Sequence, residues 1–196
     1  MNHYYTDNKS LPSNQKSFTY YFDNKEFTFT TDNGVFSKER VDYGSDLLIR
    51  NVYKRDLGNN ILDLGCGYGP VGIIVKAFNP DTDVHAVDVN SRAVELTKLN
   101  SKINKTDINA IVCEDITTLG ITFDTIILNP PIRAGKKIIY DLYDKSHECL
   151  KSGGSLYIVI QKKQGADSSY KQLKSIFKEV TILDRSAGYH IYQAIK

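Results

Sequence analysis

The chain has 196 residues, 41% of them apolar and 24% charged, with a formal net charge of +2. That length suits one domain with a good core, and the apolar content excludes a disordered chain. No segment approaches the ~20 consecutive apolar residues that span a bilayer, and the polar start Met1-Asn-His-Tyr-Tyr-Thr-Asp lacks the apolar run of a secretory leader, so a cytoplasmic location without membrane attachment is expected. Cys66, Cys113 and Cys149 form no C-x-x-C pair, so neither a disulfide framework nor a metal site is expected.

Taken in chain order, the elements begin after a polar stretch, residues 1–16. Ser17-Phe-Thr-Tyr-Tyr-Phe and Lys25-Glu-Phe-Thr-Phe-Thr alternate aromatic and polar residues around Asp23-Asn24 and predict a β-hairpin. Residues 1–40 are therefore read as an N-terminal extension packed on a main domain of residues 41–196. Val41 to Arg55 has helical spacing, with Leu47, Leu48 and Val52 on one side. Strands expected at 60–64, 83–88, 108–113, 123–128 and 154–160 then alternate with helices at 70–78, 90–104, 135–150 and 166–176. Two last strands, 179–184 and 189–195, are separated only by Arg185-Ser-Ala-Gly188, too short for a crossover helix, so they pair antiparallel. The expected class is α/β, with a seven-stranded, mostly parallel sheet ending in an antiparallel hairpin, and the N-terminal hairpin beside it.

The stretch Asn60-Ile-Leu-Asp-Leu-Gly-Cys-Gly-Tyr-Gly69 is a buried strand running into a turn with glycines at 65, 67 and 69. Glycine tolerates positive φ and lets a ligand lie against bare backbone. The dinucleotide fingerprint G-x-G-x-x-G needs a glycine where Pro70 stands. Asp63, just before the turn, would repel a diphosphate and attract an ammonium. The pattern favours S-adenosylmethionine over NAD as cofactor. Asp88 ends the second parallel strand 23 residues after Gly65, where a carboxylate can accept from both ribose hydroxyls, with Asn90 the better cap for the next helix. Asp115 follows the third strand and could accept an adenine amino group or bond its own backbone as turn aspartates do.

A second motif, Phe123-Asp-Thr-Ile-Ile-Leu-Asn-Pro-Pro-Ile132, is another buried strand that ends in Asn129-Pro130-Pro131. In open α/β sheets ligands bind beyond the carboxyl ends of the strands, which places Asn129-Pro-Pro-Ile132 beside the glycine turn. At this point the sequence resembles the class I S-adenosylmethionine-dependent methyltransferases, a Rossmann-like group. More narrowly it resembles the small-subunit ribosomal RNA methyltransferase C-like family, which is associated with guanine N2 methylation. The resemblance rests on Asp32-Asn-Gly-Val-Phe-Ser37, Asp63-Leu-Gly-Cys-Gly-Tyr-Gly-Pro70, Asn129-Pro-Pro-Ile-Arg-Ala-Gly-Lys136 and Gln161-Lys-Lys-Gln-Gly-Ala166, spread over most of the chain. It implies that Asn129 and the carbonyl of Pro130 accept the N–H groups of an exocyclic amine and direct its lone pair at the methyl group. No metal or histidine base is required.

Amino-methyltransferases of bases often carry an aromatic residue after Pro-Pro; here Ile132 stands there, and Phe36 or Tyr68 could supply the stacking instead. Phe36 and Ser37 are also candidates for a lid. Residues 1–132 hold 13 Lys and Arg against 17 Asp and Glu (−4), and residues 133–196 hold 12 against 6 (+6). A basic half beside an acidic cofactor half fits a polyanion approaching one face. Arg133, Lys136, Lys162 and Lys163 are candidates for phosphate contacts. The expected partner is RNA, as ribosomal RNA or a ribosomal subunit. Adenine N6 or protein glutamine methylation is the alternative of the same chemistry, and a non-catalytic S-adenosylmethionine- or RNA-binding module the alternative of another class.

Overall fold

The computed structural model describes residues 12–35, 37 and 39–196. β1 (Lys16–Phe22) and β2 (Lys25–Thr31) form the separate hairpin. Then follow α1 (Tyr43–Val52), β3 (Asn60–Leu64), α2 (Pro70–Phe78), β4 (Asp83–Asp88), α3 (Ser91–Ile103), β5 (Asn109–Val112), β6 (Phe123–Leu128), α4 (Lys136–Cys149), β7 (Leu150–Gln161), α5 (Ala166–Ile176), β8 (Glu179–Ser186) and β9 (Tyr189–Ile195). The sheet order is β5-β4-β3-β6-β7-β9-β8. β5 to β7 run parallel in that order, and β9 lies antiparallel between β7 and β8. This is the Rossmann-like α/β arrangement expected, with seven strands and an antiparallel end.

The near-continuous apolar strands are buried on both faces, as a doubly wound sheet requires. Side chains alternate between the faces with the two-residue period of a strand. Ile61, Ile127, Tyr157 and Val159 join Leu48, Val52, Ile73 and Leu96 of α1, α2 and α3 on one side. Leu62, Ile126, Leu128, Leu156 and Ile158 join Ile139, Tyr143 and Leu173 of α4 and α5 on the other. The hairpin closes the first side: Phe22, Phe27 and Phe29 sit in the same apolar cluster. Its free edge is covered by two asparagines one helical turn apart. The amide of Asn100 accepts from Thr30 N (2.7 Å) and donates to Thr30 O (2.9 Å), and Asn104 does the same at Thr28 (2.9 and 2.8 Å). An edge that could recruit another strand is thereby capped by α3.

Element boundaries depart from expectation by one to four residues, and three of the departures have a plain local reason. α1 starts at Tyr43 rather than Val41 because the Asp42 carboxylate caps it, accepting from Gly44 N (3.0 Å) and Ser45 N (3.2 Å). It stops at Val52, where the chain tightens and Arg55 N–H reaches the Val52 carbonyl (2.9 Å). β7 begins at Leu150, four residues early, because a bulge lets Lys151–Gly154 pass between the pairs Phe123–Leu150 and Thr125–Ser155. Gly154 fits there because a Cβ would lie 2.9 Å from the Lys151 carbonyl and 3.0 Å from that of Asp124. Short 3-10 turns at Ile116–Leu119, Ile132–Ala134 and Lys162–Gln164 were not foreseen.

Candidate active site

In the sheet order, β3 sends its chain to β4 on one side while β6 sends its chain to β7 on the other. Where chain direction reverses in this way, a crevice opens at the carboxyl ends of the strands. A cavity of about 460 Å³ lies there, walled by the glycine turn after β3, Asp88 and Val89 after β4, Cys113 and Glu114 after β5, and Asn129 to Ala134 after β6. A shallower depression of about 800 Å³ between the hairpin and the ends of α2 and α3 lies away from those strand ends. Its Lys25 and Lys76 ammonium groups are already engaged by the carbonyls of Ala77, Pro80 and Thr82. The first cavity is the candidate site.

The glycine turn is pinned by its own backbone. Gly65 N and Cys66 N donate to the Val87 carbonyl (2.8 and 2.9 Å), and Thr97 Oγ1 donates to that of Gly67 (3.0 Å). Gly65 and Gly67 have φ of +74° and +58°, and a Cβ on either would meet no protein atom within 4 Å. Only what the cavity holds would feel that methyl group, which is the signature of a backbone cradle. Gly69 serves packing instead, since a Cβ there would press on Thr97 Cγ2 at 2.9 Å. Cys66 is buried with its Sγ 3.5 Å from Thr97 Oγ1, and burial pushes its thiol up, so it fills the turn as an inert side chain.

One buried and one half-buried carboxylate face the cradle. Asp63, 3% exposed, accepts from Gly72 N (2.8 Å). Burial raises its carboxyl to about 7; the Gly72 N–H opposes that rise and the charge of Asp88 adds to it. Asp88 accepts Asn90 N on one oxygen and Gly67 N on the other, each at 2.9 Å, and burial raises its carboxyl against the pull of those N–H groups. Neither acid pairs with a Lys or Arg among the described residues. A site with bare glycine backbone and two desolvated acids suits a cationic, hydroxyl-bearing ligand and disfavours a diphosphate.

On the opposite wall, Asn129 ends β6 half-buried, with Nδ2 3.0 Å from Ser45 Oγ and 3.5 Å from Asp42 Oδ1. Pro130, Pro131, Ile132 and Arg133 continue that wall. Lys162 and Lys163 are exposed in the turn after β7, outside the cavity, while their neighbour Gln164 reaches it. Phe36 lies outside the described residues. Asp115 is not itself among the cavity walls, although its neighbours Glu114 and Ile116 are. Its Oδ1 accepts from Thr117 N (3.1 Å) and Thr117 Oγ1 (2.9 Å), and its other oxygen pairs with Lys145 (3.4 Å). Those bonds, the Thr117 hydroxyl first, hold its carboxyl below the usual range. The aspartate caps its own turn. Tyr68 is no stacking surface either, since its ring packs edge-on against Phe18 and Phe29 and its hydroxyl donates to the Arg40 carbonyl (3.2 Å). Tyr189, at the start of β9 and 5.3 Å from the ring of Tyr43, is the aromatic wall that the sequence did not announce.

The family model of the methyltransferase small domain matches residues 26–193. The chain belongs to that family. Within this methyltransferase family it is 44% identical over 197 residues to the protein YbxB of Bacillus subtilis (strain 168), covering 99% of this chain and 98% of that one. It is 37% identical over 130 residues to the ribosomal RNA small subunit methyltransferase C of Pseudomonas syringae pv. tomato, covering 64% of this chain and 39% of the relative. Among solved structures, the Thermus thermophilus 16S rRNA N2 G1207 methyltransferase (RsmC), in complex with AdoMet and guanosine, superposes with a TM-score of 0.84 at 25% identity, over 95% of this chain and 52% of that one. The chain thus spans about half or less of these two ribosomal RNA methyltransferases. No helix among the described residues is long and apolar enough to cross a membrane.

Proposed function

We propose that this protein transfers a methyl group from S-adenosylmethionine to the N2 amine of a guanine in ribosomal RNA. The observation that carries the reading is that Asn129-Pro130 opens into the same cavity as the glycine cradle and the acid pair Asp63 and Asp88. The ribosomal RNA methyltransferases among its relatives, and guanosine in the structure of one of them, support the choice of base.

The bound cofactor supplies an electrophilic sulfonium methyl. Gly65 and Gly67 give it bare backbone, Asp63 an anion for its ammonium, and Asp88 an acceptor for ribose hydroxyls. A guanine amine is a poor nucleophile because its lone pair is delocalised into the ring. Asn129 Oδ1 and the Pro130 carbonyl each accept one N–H, turn the lone pair toward the methyl and stabilise the positive charge that develops on nitrogen. Tyr189 offers its ring to the base, in the role that Ile132 leaves open. Arg133, Lys162 and Lys163 are the cations offered to the phosphates of the substrate in this reading.

The test compares nucleosides of ribosomal RNA from wild-type and deletion cells by mass spectrometry, then single-turnover methyl transfer by the purified protein. Loss of N2-methylguanosine in the deletion is the expected result; loss of a methyladenosine or of a protein methyl group would redirect the reading. Asn129→Ala should lower kcat by ~10²–10³, the usual toll of removing one preorganised polar group, with cofactor affinity unchanged. Near-wild-type transfer would reduce Asn-Pro-Pro to a turn.

A further inference from the structure

The side-chain amide of Asn129 can face the cavity with either its oxygen or its NH2 group, and only the oxygen can accept an amine N–H. What decides the orientation comes from the first turn of α1. Asn129 Nδ2 lies 3.0 Å from Ser45 Oγ and 3.5 Å from Asp42 Oδ1. The same Asp42 oxygen is held in place by Gly44 N (3.0 Å) and Ser45 N (3.2 Å). A carboxylate accepts hydrogen bonds and donates none. A flipped amide would set the Asn129 oxygen against that anion, whereas the observed orientation gives the NH2 group two acceptors. Ser45 is 5% exposed, and Gly44 leaves room for the ring of Tyr189, which a Cβ would meet at 3.3 Å.

We infer that Asp42 and Ser45 are positioning residues that lock the Asn129 amide with Oδ1 presented to the amine undergoing methylation. The inference rests on the reading of Asn129 as the amine acceptor. It gives the helix cap a second role, because the anion that satisfies the first N–H groups of α1 also sets the direction of a side chain 87 residues away in sequence. Polarised by its acceptors, the amide carries more negative charge on Oδ1, where positive charge develops across the bond.

The experiment uses variants that spare the helix. Asp42→Ser keeps a good N-cap while removing the carboxylate, and Ser45→Ala removes the hydroxyl at a position where alanine favours the helix. The assay is single-turnover transfer from labelled S-adenosylmethionine to ribosomal RNA of cells lacking the gene, with calorimetric cofactor affinity and thermal unfolding measured alongside. Each variant is expected to slow transfer about tenfold and the pair about a hundredfold, with cofactor affinity and melting temperature nearly unchanged. Placed on Asn129→Ala, neither should slow the residual rate further, because residues that act as one unit are non-additive. Transfer within twofold of wild type for the pair, with Asn129→Ala inactive, would overturn the inference and leave the proposed function standing. Full additivity on Asn129→Ala would also overturn it, by placing the action of Asp42 and Ser45 elsewhere. Wild-type transfer by Asn129→Ala would bring down the reading of Asn129 and this inference with it.

Discussion

Asp63 is the residue at which stability and ligand binding are set against each other. An ordinary aspartate is ionised above pH 4; burial lifts this one to about 7 in the folded chain. Because the folded state holds the proton more tightly than the unfolded state, folding stability contributed here is full below pH ~4, declines as pH rises to ~7 and is flat above. The decline amounts to ~4 kcal/mol at most, three pKa units at about 1.4 kcal/mol each. Asp63→Asn can still accept from Gly72 N, so it should be more stable than wild type at pH 8 and about equal at pH 4. Urea unfolding at both values checks this, and equal stability at pH 8 would show that the carboxylate is not strained. The proposed ammonium contact reverses the trend for binding. An ammonium favours the ionised acid, so S-adenosylmethionine affinity should rise from pH 5.5 to 7 with release of a proton, up to where the ligand's own amine begins to deprotonate near pH ~8. Calorimetry in two buffers of different ionisation enthalpy measures that proton; none released at pH 6.5 would remove Asp63 from the ammonium site.

At the scale of elements, the hairpin depends on α3 as much as on its own turn. Asn100 is fully buried and serves Thr30 N, Thr30 O and the Tyr68 carbonyl (2.7, 2.9 and 2.8 Å). Asn100→Ala would strand three buried backbone groups and should cost about 3 kcal/mol or more, at ~1–3 kcal/mol for each unsatisfied group. Asn104→Ala, partly exposed at the helix end, should cost less. Denaturant titration orders the two, and a loss below about 1 kcal/mol at Asn100 would mean that water replaces the amide. The hairpin strands themselves were legible from alternating aromatics, and the parallel strands from their apolar runs, because both signals are local. Asn100 on the strand edge was not, since nothing in a helical asparagine reveals a strand 70 residues earlier. The site divides the same way. Gly65, Gly67, Asp63, Asp88 and Asn129 lie at strand ends that the sequence marks. Asp42, Ser45 and Tyr189 come from α1 and β9 and join them only through the sheet order. Asp115 caps its own turn, the second of the two roles that an aspartate after a strand offers.

At the scale of the whole molecule, charge is sorted along the chain and across the cavity. The acids that line the cradle, Asp63, Asp88 and Glu114, belong to the half with net charge −4, while Arg133 and the turn at Lys162–Gln164 belong to the half with +6. A polyanion entering over the basic side would meet cations first and reach the acids only with the base to be modified. Its backbone phosphates release counterions when Lys162 and Lys163 replace them, so affinity should fall linearly in logarithm with salt, by about 0.7 in slope for each phosphate of a single strand. Lys162→Glu together with Lys163→Glu should therefore flatten the slope by ~1.4 or somewhat more and weaken binding at 50 mM salt far more than at 200 mM. Both side chains are exposed and lie outside the cavity, so cofactor affinity and the melting temperature should not move. Binding isotherms of wild type and variant on the same RNA at several salt concentrations decide the matter. Parallel lines would place the phosphates on another part of the basic half, with Arg133 and Lys136 the next residues to reverse, whereas a salt-independent affinity in the wild type would remove RNA as the substrate.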